Sequence, residues 1–204
     1  MVIVRPACGI QILEALLIST GVIALAEIGD KTQLLAFLLA TRFKKPWPII
    51  GGILVATIFN HAMAGLVGAW ITVHVNPLVL RWILGISFLA MAVWALIPDK
   101  IEDSEAHAVN RFGVFGATLV TFFLAEMGDK TQLATVAMAA HYGTPILVVV
   151  GTTLGMLLAD VPAVFIGEKL AKRIPVKTVH AIAAIIFVLL GLATLFGFGQ
   201  RFGV

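Results

Sequence analysis

The chain has 204 residues, of which 60% are hydrophobic and 12% charged, whereas soluble domains have about 45–50% apolar and about 25% charged residues. With a mean hydropathy of +1.06, such a chain can bury its apolar surface only in lipid, so we expect an integral membrane protein. The formal net charge of +3 is spread over short gaps between apolar runs, which argues against nucleic-acid binding. The single cysteine, Cys8, excludes an internal disulfide and a cysteine-based metal cluster.

Six apolar stretches separated by polar residues predict six membrane-spanning segments. We interpret the N-terminal stretch as the first span rather than a signal peptide, because no small-residue cleavage site is followed by a polar mature region. The first and fourth stretches have about 31 residues each, or about 46 Å of continuous helix against about 30 Å of hydrocarbon, so each must tilt strongly or break. The stretches cover residues 10–41, 48–73, 77–97, 111–141, 145–170 and 177–198.

Basic residues are unevenly distributed between the two sides of the predicted spans. Nine lie on the loops after spans one, three and five, and three lie on the opposite side. Because cytoplasmic loops are rich in Lys and Arg, both termini are predicted outside and the 98–111 loop in the cytoplasm. We read that loop as a solvated linker; the alternative is regulatory cation sensing by Asp99, Glu102, Asp103 and Glu105. The nine are Arg42, Lys44, Lys45, Lys100, Arg111, Lys169, Lys172, Arg173 and Lys177, and the three are Arg5, Arg81 and Arg201.

The chain repeats itself at a constant offset of 99 residues. Residues 25–34, LAEIGDKTQL, match residues 124–133, LAEMGDKTQL, at nine of ten positions. We therefore predict a first three-helix repeat over 1–98, a cytoplasmic linker over 99–110 and a second three-helix repeat over 111–204. Because three spans per unit is odd, the second repeat must enter the membrane from the opposite side. The expected fold is all-α, with six transmembrane helices as two inverted repeats, an architecture of secondary transporters with central sites.

Ionisable residues lie near the centres of the two over-long stretches. Each costs about 2.5–3.5 kcal/mol at a span centre, which stability alone does not explain. If all are ionised, four carboxylates and two lysines give a charge of −2, which one divalent cation or two protons would neutralise. Oxygen ligands suit calcium, magnesium or manganese rather than copper or zinc; the alternative is two structural Glu–Lys bridges. The metal-site candidates are Glu27, Asp30, Glu126 and Asp129, supported by Lys31, Thr32, Gln33, Lys130, Thr131 and Gln132.

Other polar residues within the spans are weaker candidates. His61 corresponds to Asp160 at the 99-residue offset, and both are candidates for a proton relay, although a histidine among apolar residues is more often a hydrogen-bonded core residue. We expect Asn60 to hydrogen-bond between helices and Glu14 to be structural. Met127 could offer a thioether to manganese but is expected to be packing filler.

The twin E-x-G-D-K-T sequences on spans one and four, joined by an acidic-basic loop, resemble the GDT-type family of small cation/proton exchangers. That family includes bacterial manganese exporters and Golgi manganese/calcium transporters. The resemblance covers nearly all 204 residues. It implies a divalent-cation antiporter in which Glu27, Asp30, Glu126 and Asp129 bind the ion.

These observations predict a secondary transporter that exports a divalent cation, manganese first and calcium second, in exchange for protons. We expect no cofactor besides the transported ion, no enzymatic activity, a multi-pass location in the plasma (inner) membrane, and a homodimer as a further expectation. A rival from another class is a membrane-embedded metal-dependent hydrolase, but the repeats offer no nucleophile and no asymmetry of roles. A channel would use the same acids as a selectivity ring, and only flux kinetics separates it from a carrier.

Overall fold

The computed structural model describes residues 9–97, 113–166 and 176–196, and all the regular elements in those ranges are helices. The all-α prediction is therefore confirmed for this part of the chain. The 98–111 loop with its four acidic residues, Cys8 and both termini lie outside the described residues. The helices are α1 (Gly9–Glu27), α2 (Lys31–Phe43), α3 (Pro46–His74), α4 (Pro77–Trp94), α5 (Gly113–Glu126), α6 (Lys130–Tyr142), α7 (Pro145–Ile166) and α8 (Val176–Leu195).

Both over-long apolar stretches are broken, which is one of the two outcomes, a strong tilt or a break, that their length predicts. The first is divided into α1 and α2, which meet at an angle of 69°, and the second is divided into α5 and α6. The breaks contain Gly29 with a φ of 83° and Gly128 with a φ of 78°. Residues that carry a Cβ disfavour this left-handed region, so each glycine allows the chain to leave the helix at this point.

Three of these helices, α3, α4 and α7, are long and apolar enough to cross a membrane, and the bent pair α1–α2 adds a fourth candidate crossing. α5 and the apolar part of α8, His180–Leu195, are shorter. Large apolar side chains are exposed along α4, among them Leu78, Trp82, Ile86 and Val93. A face of this kind fits contact with lipid rather than with water.

Proline and left-handed residues mark the ends of the helices at equivalent places in the two halves. The equivalent residues Pro46 and Pro145 begin α3 and α7, where the missing N–H is not needed and the fixed φ suits a helix. Pro77 begins α4 in the same way, although its equivalent at the start of α8 is Val176. The C-cap residue of α2 is Lys44, with a φ of 53°, and that of α6 is the equivalent Gly143, with a φ of 63°. The sequence repeat therefore extends to the local backbone conformation.

Each broken helix pair packs against the long helix of the other half. α1 packs on α7, and α5 packs on α3. A Cβ on Gly151 would lie 2.7 Å from the carbonyl oxygen of Leu16, and a Cβ on Gly52 would lie 2.9 Å from that of Phe115. Both partners in the two contacts are related by the offset of 99. Glycine at these two positions lets the helix backbones approach closely.

The last helices of the two halves, α4 and α8, run antiparallel to each other. Gly85 approaches Leu195, whereas Leu89 further along α4 approaches Gly191 earlier in α8. One turn before Gly191 on α8, the ring of Phe187 stacks on that of Phe88, with centroids 6.5 Å apart and an interplanar angle of 24°. Phe88 and Phe187 are themselves related by the offset of 99, so α4 and α8 cross at equivalent residues.

The pair α4–α8 breaks the symmetry of the rest of the fold. α8 packs against α1, and α4 packs against α6. The equivalent pairings, α5 with α4 and α2 with α8, are at most marginal within the described ranges. The pair therefore lies on one side of the two broken helices.

Candidate functional site

The four predicted acidic ligands occupy the ends of the broken helices. Glu27 and Glu126 are the last residues of α1 and α5, and Asp30 and Asp129 are the N-cap residues of α2 and α6. A carboxylate is favoured at a helix N-terminus by the helix dipole, but neither aspartate side chain caps its own helix. All four residues are buried, with 0% to 5% exposure.

Three of these carboxylates converge. Glu27, Asp30 and Asp129 each offer one oxygen, and the three oxygens lie within 4.8 Å of one another. Glu126 does not belong to this three-carboxylate group. Carboxylates from both halves of the chain therefore meet at one place, and residues far apart in sequence complete a set of hard oxygen ligands.

The motif lysines form ion pairs across the two halves. Lys130 Nζ lies 2.9 Å from Asp30 Oδ1, and Lys31 Nζ lies 3.6 Å from Asp129 Oδ1. Each pair therefore joins an aspartate of one motif to the lysine of the other. The side chain of Lys130 is 4% exposed and that of Lys31 is 20% exposed, so the Lys31 side of the site is the more open.

Each glutamate receives a hydrogen bond from the threonine of its own motif. Thr32 Oγ1 donates to Glu27 Oε2 at 2.5 Å, and Thr131 Oγ1 donates to Glu126 Oε2 at 2.8 Å. The second oxygen of each glutamate, Oε1, is buried and has no hydrogen-bond partner among the described residues. Because an unsatisfied buried acceptor is costly, these oxygens are suited to bind a cation or a proton.

The motif glutamines satisfy the backbone at both breaks. Gln33 Oε1 accepts a hydrogen bond from the backbone N–H of Gly29 at 2.9 Å, and Gln132 Oε1 accepts one from that of Gly128 at 2.7 Å. A break in lipid survives only where protein or water replaces the lost helical hydrogen bonds. The glutamines therefore support the site by accepting hydrogen bonds from the backbone at the breaks.

The same glutamines attach each break to the long helix of the opposite half. Gln33 Nε2 donates to the carbonyl oxygen of Ala159 at 3.0 Å, and Gln132 Nε2 lies 3.4 Å from Asn60 Oδ1. Asn60 and Ala159 are equivalent at the offset of 99. Asn60 Nδ2 also donates to the carbonyl oxygen of Phe123 at 3.1 Å, which confirms the prediction that Asn60 hydrogen-bonds between helices.

His61 and Asp160 follow those two contact residues in α3 and α7, and both are fully buried. Neither nitrogen of His61 and neither oxygen of Asp160 has a hydrogen-bond partner among the described residues. The expectation of a hydrogen-bonded core histidine is therefore wrong for this part of the chain. Both residues lie within the protein interior beside the helix positions that the motif glutamines touch.

Two of the minor candidates are exposed. Glu14 is exposed near the start of α1. Met127 in the second break is 53% exposed, so it is not the buried packing filler that its residue type predicts. The reason is the position of the break, because Met127 directly follows the last residue of α5.

One contact at the site was not predicted from the sequence. His180 on α8 places Nε2 2.8 Å from the carbonyl oxygen of Ile28 in the first break, and because a carbonyl only accepts, Nε2 carries the hydrogen. The sequence does contain a signal for this contact. At the offset of 99 His180 corresponds to Arg81, so both halves place a polar residue in the first turns of an apolar helix.

Comparison with known proteins identifies what the chain is similar to. Residues 15–103 and 114–200 match the family described as "Divalent cation/proton antiporter GDT1". A Vibrio cholerae protein named "Putative manganese exporter" is 47% identical over 195 residues, which cover 95% of this chain and 96% of that protein. An Oryza sativa subsp. indica protein named "GDT1-like protein 3" is 31% identical over 204 residues, covering 88% and 72% of the two chains. No solved structure matches the chain.

Proposed function

This chain belongs to the GDT1 family of divalent cation/proton antiporters, and we propose that it exports manganese across the plasma (inner) membrane in exchange for protons. The observation that carries the proposal is the convergence of Glu27, Asp30 and Asp129, whose oxygens lie within 4.8 Å of one another in the buried interior. The name of the Vibrio cholerae relative supports manganese over calcium. Calcium is the second candidate, because an all-oxygen ligand set also suits it.

The charge of the site supports exchange for protons. Four motif carboxylates and two motif lysines give −2 when all are ionised, so one divalent cation or two protons would neutralise the group. Charge neutrality matters in this environment, because a net charge near the bilayer centre is expensive. The cation and the protons would therefore compete for the same carboxylates, which is the physical basis of antiport.

The two halves suggest how the ligand set changes between states. At the offset of 99 the group of Glu27, Asp30 and Asp129 corresponds to Glu126, Asp129 and Asp30. The two aspartates are common to both groups, and only the glutamate differs. We propose that the cation stays with the aspartates while Glu27 is the third ligand in this state and Glu126 in the opposite state.

We also propose the six-span inverted architecture, with both termini outside and the 98–111 loop in the cytoplasm. The antiparallel crossing of α4 and α8 at Phe88 and Phe187 and the reciprocal packing of α1 on α7 and α5 on α3 support it. Inverted repeats allow one half to take the role of the other, which gives alternating access to a central site.

Within this scheme the remaining site residues have distinct roles. Lys31 and Lys130 tune the charge of the site but do not bind the ion, because an ammonium has no lone pair to offer. Thr32 and Thr131 orient the glutamates of their own motifs, and the motif glutamines satisfy the backbone at the breaks. His61 and Asp160 are proposed proton-relay residues that pass protons to the motif carboxylates, since both are fully buried and lack hydrogen-bond partners in the described interior.

A metal-dependent hydrolase and a channel fit the structure less well. In a hydrolase the two carboxylate-bearing breaks would take different roles, whereas here Thr32 and Thr131 hold Glu27 and Glu126 in the same way. A channel needs a continuous aqueous path, whereas all four motif carboxylates are buried.

The decisive experiment measures manganese, calcium and magnesium flux in proteoliposomes with and without a pH gradient. We expect manganese flux that depends on the gradient and an accompanying proton flux in the opposite direction. The matched control is the Asp30→Asn, Asp129→Asn double variant, which removes both shared carboxylates. Manganese flux that is unchanged when the pH gradient is collapsed or reversed would contradict the proposal.

A further inference from the structure

The two breaks of the site are not covered to the same degree. Ile28 and Gly29 are partly buried, and His180 on α8 donates a hydrogen bond to the carbonyl oxygen of Ile28 at 2.8 Å. Met127 and Gly128 in the second break are exposed, Met127 by 53%. In this structure α8 therefore contacts the first break, while the second break is exposed at the protein surface.

Arg81 is the equivalent of His180 at the offset of 99, but no equivalent contact of Arg81 is found within the described ranges. Its Nε is buried and has no hydrogen-bond partner among the described residues. The helix that carries it, α4, packs against α6. Among the described residues its contact with α5, which would match the packing of α8 on α1, is at most marginal. Because a buried donor without a partner is unfavourable, a second arrangement that satisfies Arg81 would compete with this one.

We propose that His180 and Arg81 are alternating latches, that is, side chains that each hydrogen-bond the pair α4–α8 to one of the two breaks in one of two states. In this state His180 closes the first break through the Ile28 carbonyl, and in the opposite state Arg81 closes the second break through the Met127 carbonyl. Between the two states the pair α4–α8 moves. In this movement α8 leaves α1 and packs on α2, and α4 leaves α6 and packs on α5. This inference rests on the proposed exchange function, because exchanging the roles of two inverted repeats is what generates the second state.

The latches also indicate which side of the membrane is open. His180 lies near the start of α8 and Arg81 near the start of α4, and in the proposed orientation these helix ends are cytoplasmic and external, respectively. The state described here is then closed to the cytoplasm by His180 and open to the outside at Met127. It corresponds to the stage at which an exported cation leaves and protons enter.

The experiment measures access to each break with a membrane-impermeant maleimide. Single cysteines, Ile28→Cys or Met127→Cys, are placed in a Cys8→Ser background and labelled from either side of proteoliposomes. We expect Met127→Cys to react from one side only, and Ile28→Cys to react from the other side and more slowly. Adding His180→Phe, which keeps a ring but removes the N–H donor, should raise the Ile28→Cys labelling rate about three- to tenfold, the effect of one lost hydrogen bond.

Two further variants make the result specific. His180→Gln keeps an N–H donor and should restore slow labelling at Ile28→Cys. Arg81→Met removes the proposed latch of the opposite state, so Met127→Cys should stay reactive and Ile28→Cys should become slower still. Lys177→Gln, an exposed change on the same helix as His180, should alter neither rate. If His180→Phe proves unstable, the Arg81→Met and His180→Gln results decide the question.

Three outcomes would overturn the inference. His180→Phe could leave both labelling rates unchanged, or Arg81→Met could raise the Ile28→Cys rate as His180→Phe is expected to do. Met127→Cys could react only with a lipid-soluble reagent, which would mean that the second break faces lipid. Labelling needs no transported ion. A shift of the labelling rates without manganese–proton exchange would therefore refute the proposed function alone, and exchange without the shift would refute the latches alone.

Discussion

Lys130 Nζ lies 2.9 Å from Asp30 Oδ1, so the buried ammonium of the second motif pairs with the aspartate of the first. The reciprocal pair of Lys31 and Asp129 is longer, at 3.6 Å. The two pairs join the ends of α2 and α6 across the site. Because both aspartates also belong to the group of three converging carboxylates, the lysines and the cation act on the same two side chains.

Removing a motif carboxylate should abolish transport without preventing membrane insertion. We expect this for Glu27→Gln, Asp30→Asn, Glu126→Gln and Asp129→Asn, because each removes one charge from a −2 group, and neutralisation makes insertion easier. The measurement is manganese flux in proteoliposomes, with the amount of inserted protein as the control. Near wild-type flux in any two of the four variants would show that they do not share one site.

Replacing Glu27 or Glu126 should affect manganese binding to different extents, although either replacement should abolish transport. Glu27 belongs to the converging group and Glu126 does not. In the state described here, Glu27→Gln should weaken manganese binding at least about tenfold, whereas Glu126→Gln should change it less than about threefold. Calorimetry on purified protein that is held in this state by Arg81→Met measures the difference. Equal losses would contradict the exchange of glutamates between states.

Replacing a motif lysine should tighten cation binding rather than weaken it. Lys130→Gln removes a positive charge from a nearly buried pair, so the empty site becomes more negative and releases the cation more slowly. Loss of about 1.4 kcal/mol of repulsion gives about tenfold tighter binding. The effect of Lys31→Gln should be smaller, because Lys31 is 20% exposed and better screened. Weaker binding at fixed pH in either variant would contradict this role.

Glycine at the crossings of the long helices should be required for stability. In Gly52→Ala the new Cβ would lie 2.7 Å from Thr118 Cβ, and in Gly151→Ala it would lie 2.7 Å from the Leu16 carbonyl oxygen. Overpacking of this kind costs about 1–3 kcal/mol. Gly21→Ala is the matched control, because a Cβ there meets nothing within 4 Å, and it should raise helix stability slightly. Thermal unfolding in detergent compares the three, and equal midpoints would contradict the close approach.

The sequence predicts the helices and the motif chemistry better than it predicts how the motifs meet. The composition and length of the apolar stretches indicate the helices locally, and a stretch too long for the hydrocarbon must tilt or break, so the breaks are one of two outcomes that the sequence predicts. The pairing of Lys130 with Asp30 and the contact between His180 and Ile28 depend on how distant helices cross. No local pattern encodes such a crossing, although the offset of 99 does relate the pair of Lys130 and Asp30 to the pair of Lys31 and Asp129.

Each transport cycle should move no net charge across the membrane. If one divalent cation and two protons alternately neutralise the −2 group of motif residues, no net charge crosses in either direction and the exchange is electroneutral. Metal-driven proton movement should then be unchanged in vesicles clamped at different potassium-diffusion potentials. A third proton, carried by His61 or Asp160, would move one net charge and couple the cycle to voltage by about 2.3 kcal/mol per 100 mV. Flux that rises steeply with voltage would therefore eliminate the two-proton scheme, and Asp160→Asn or His61→Gln should then restore voltage independence.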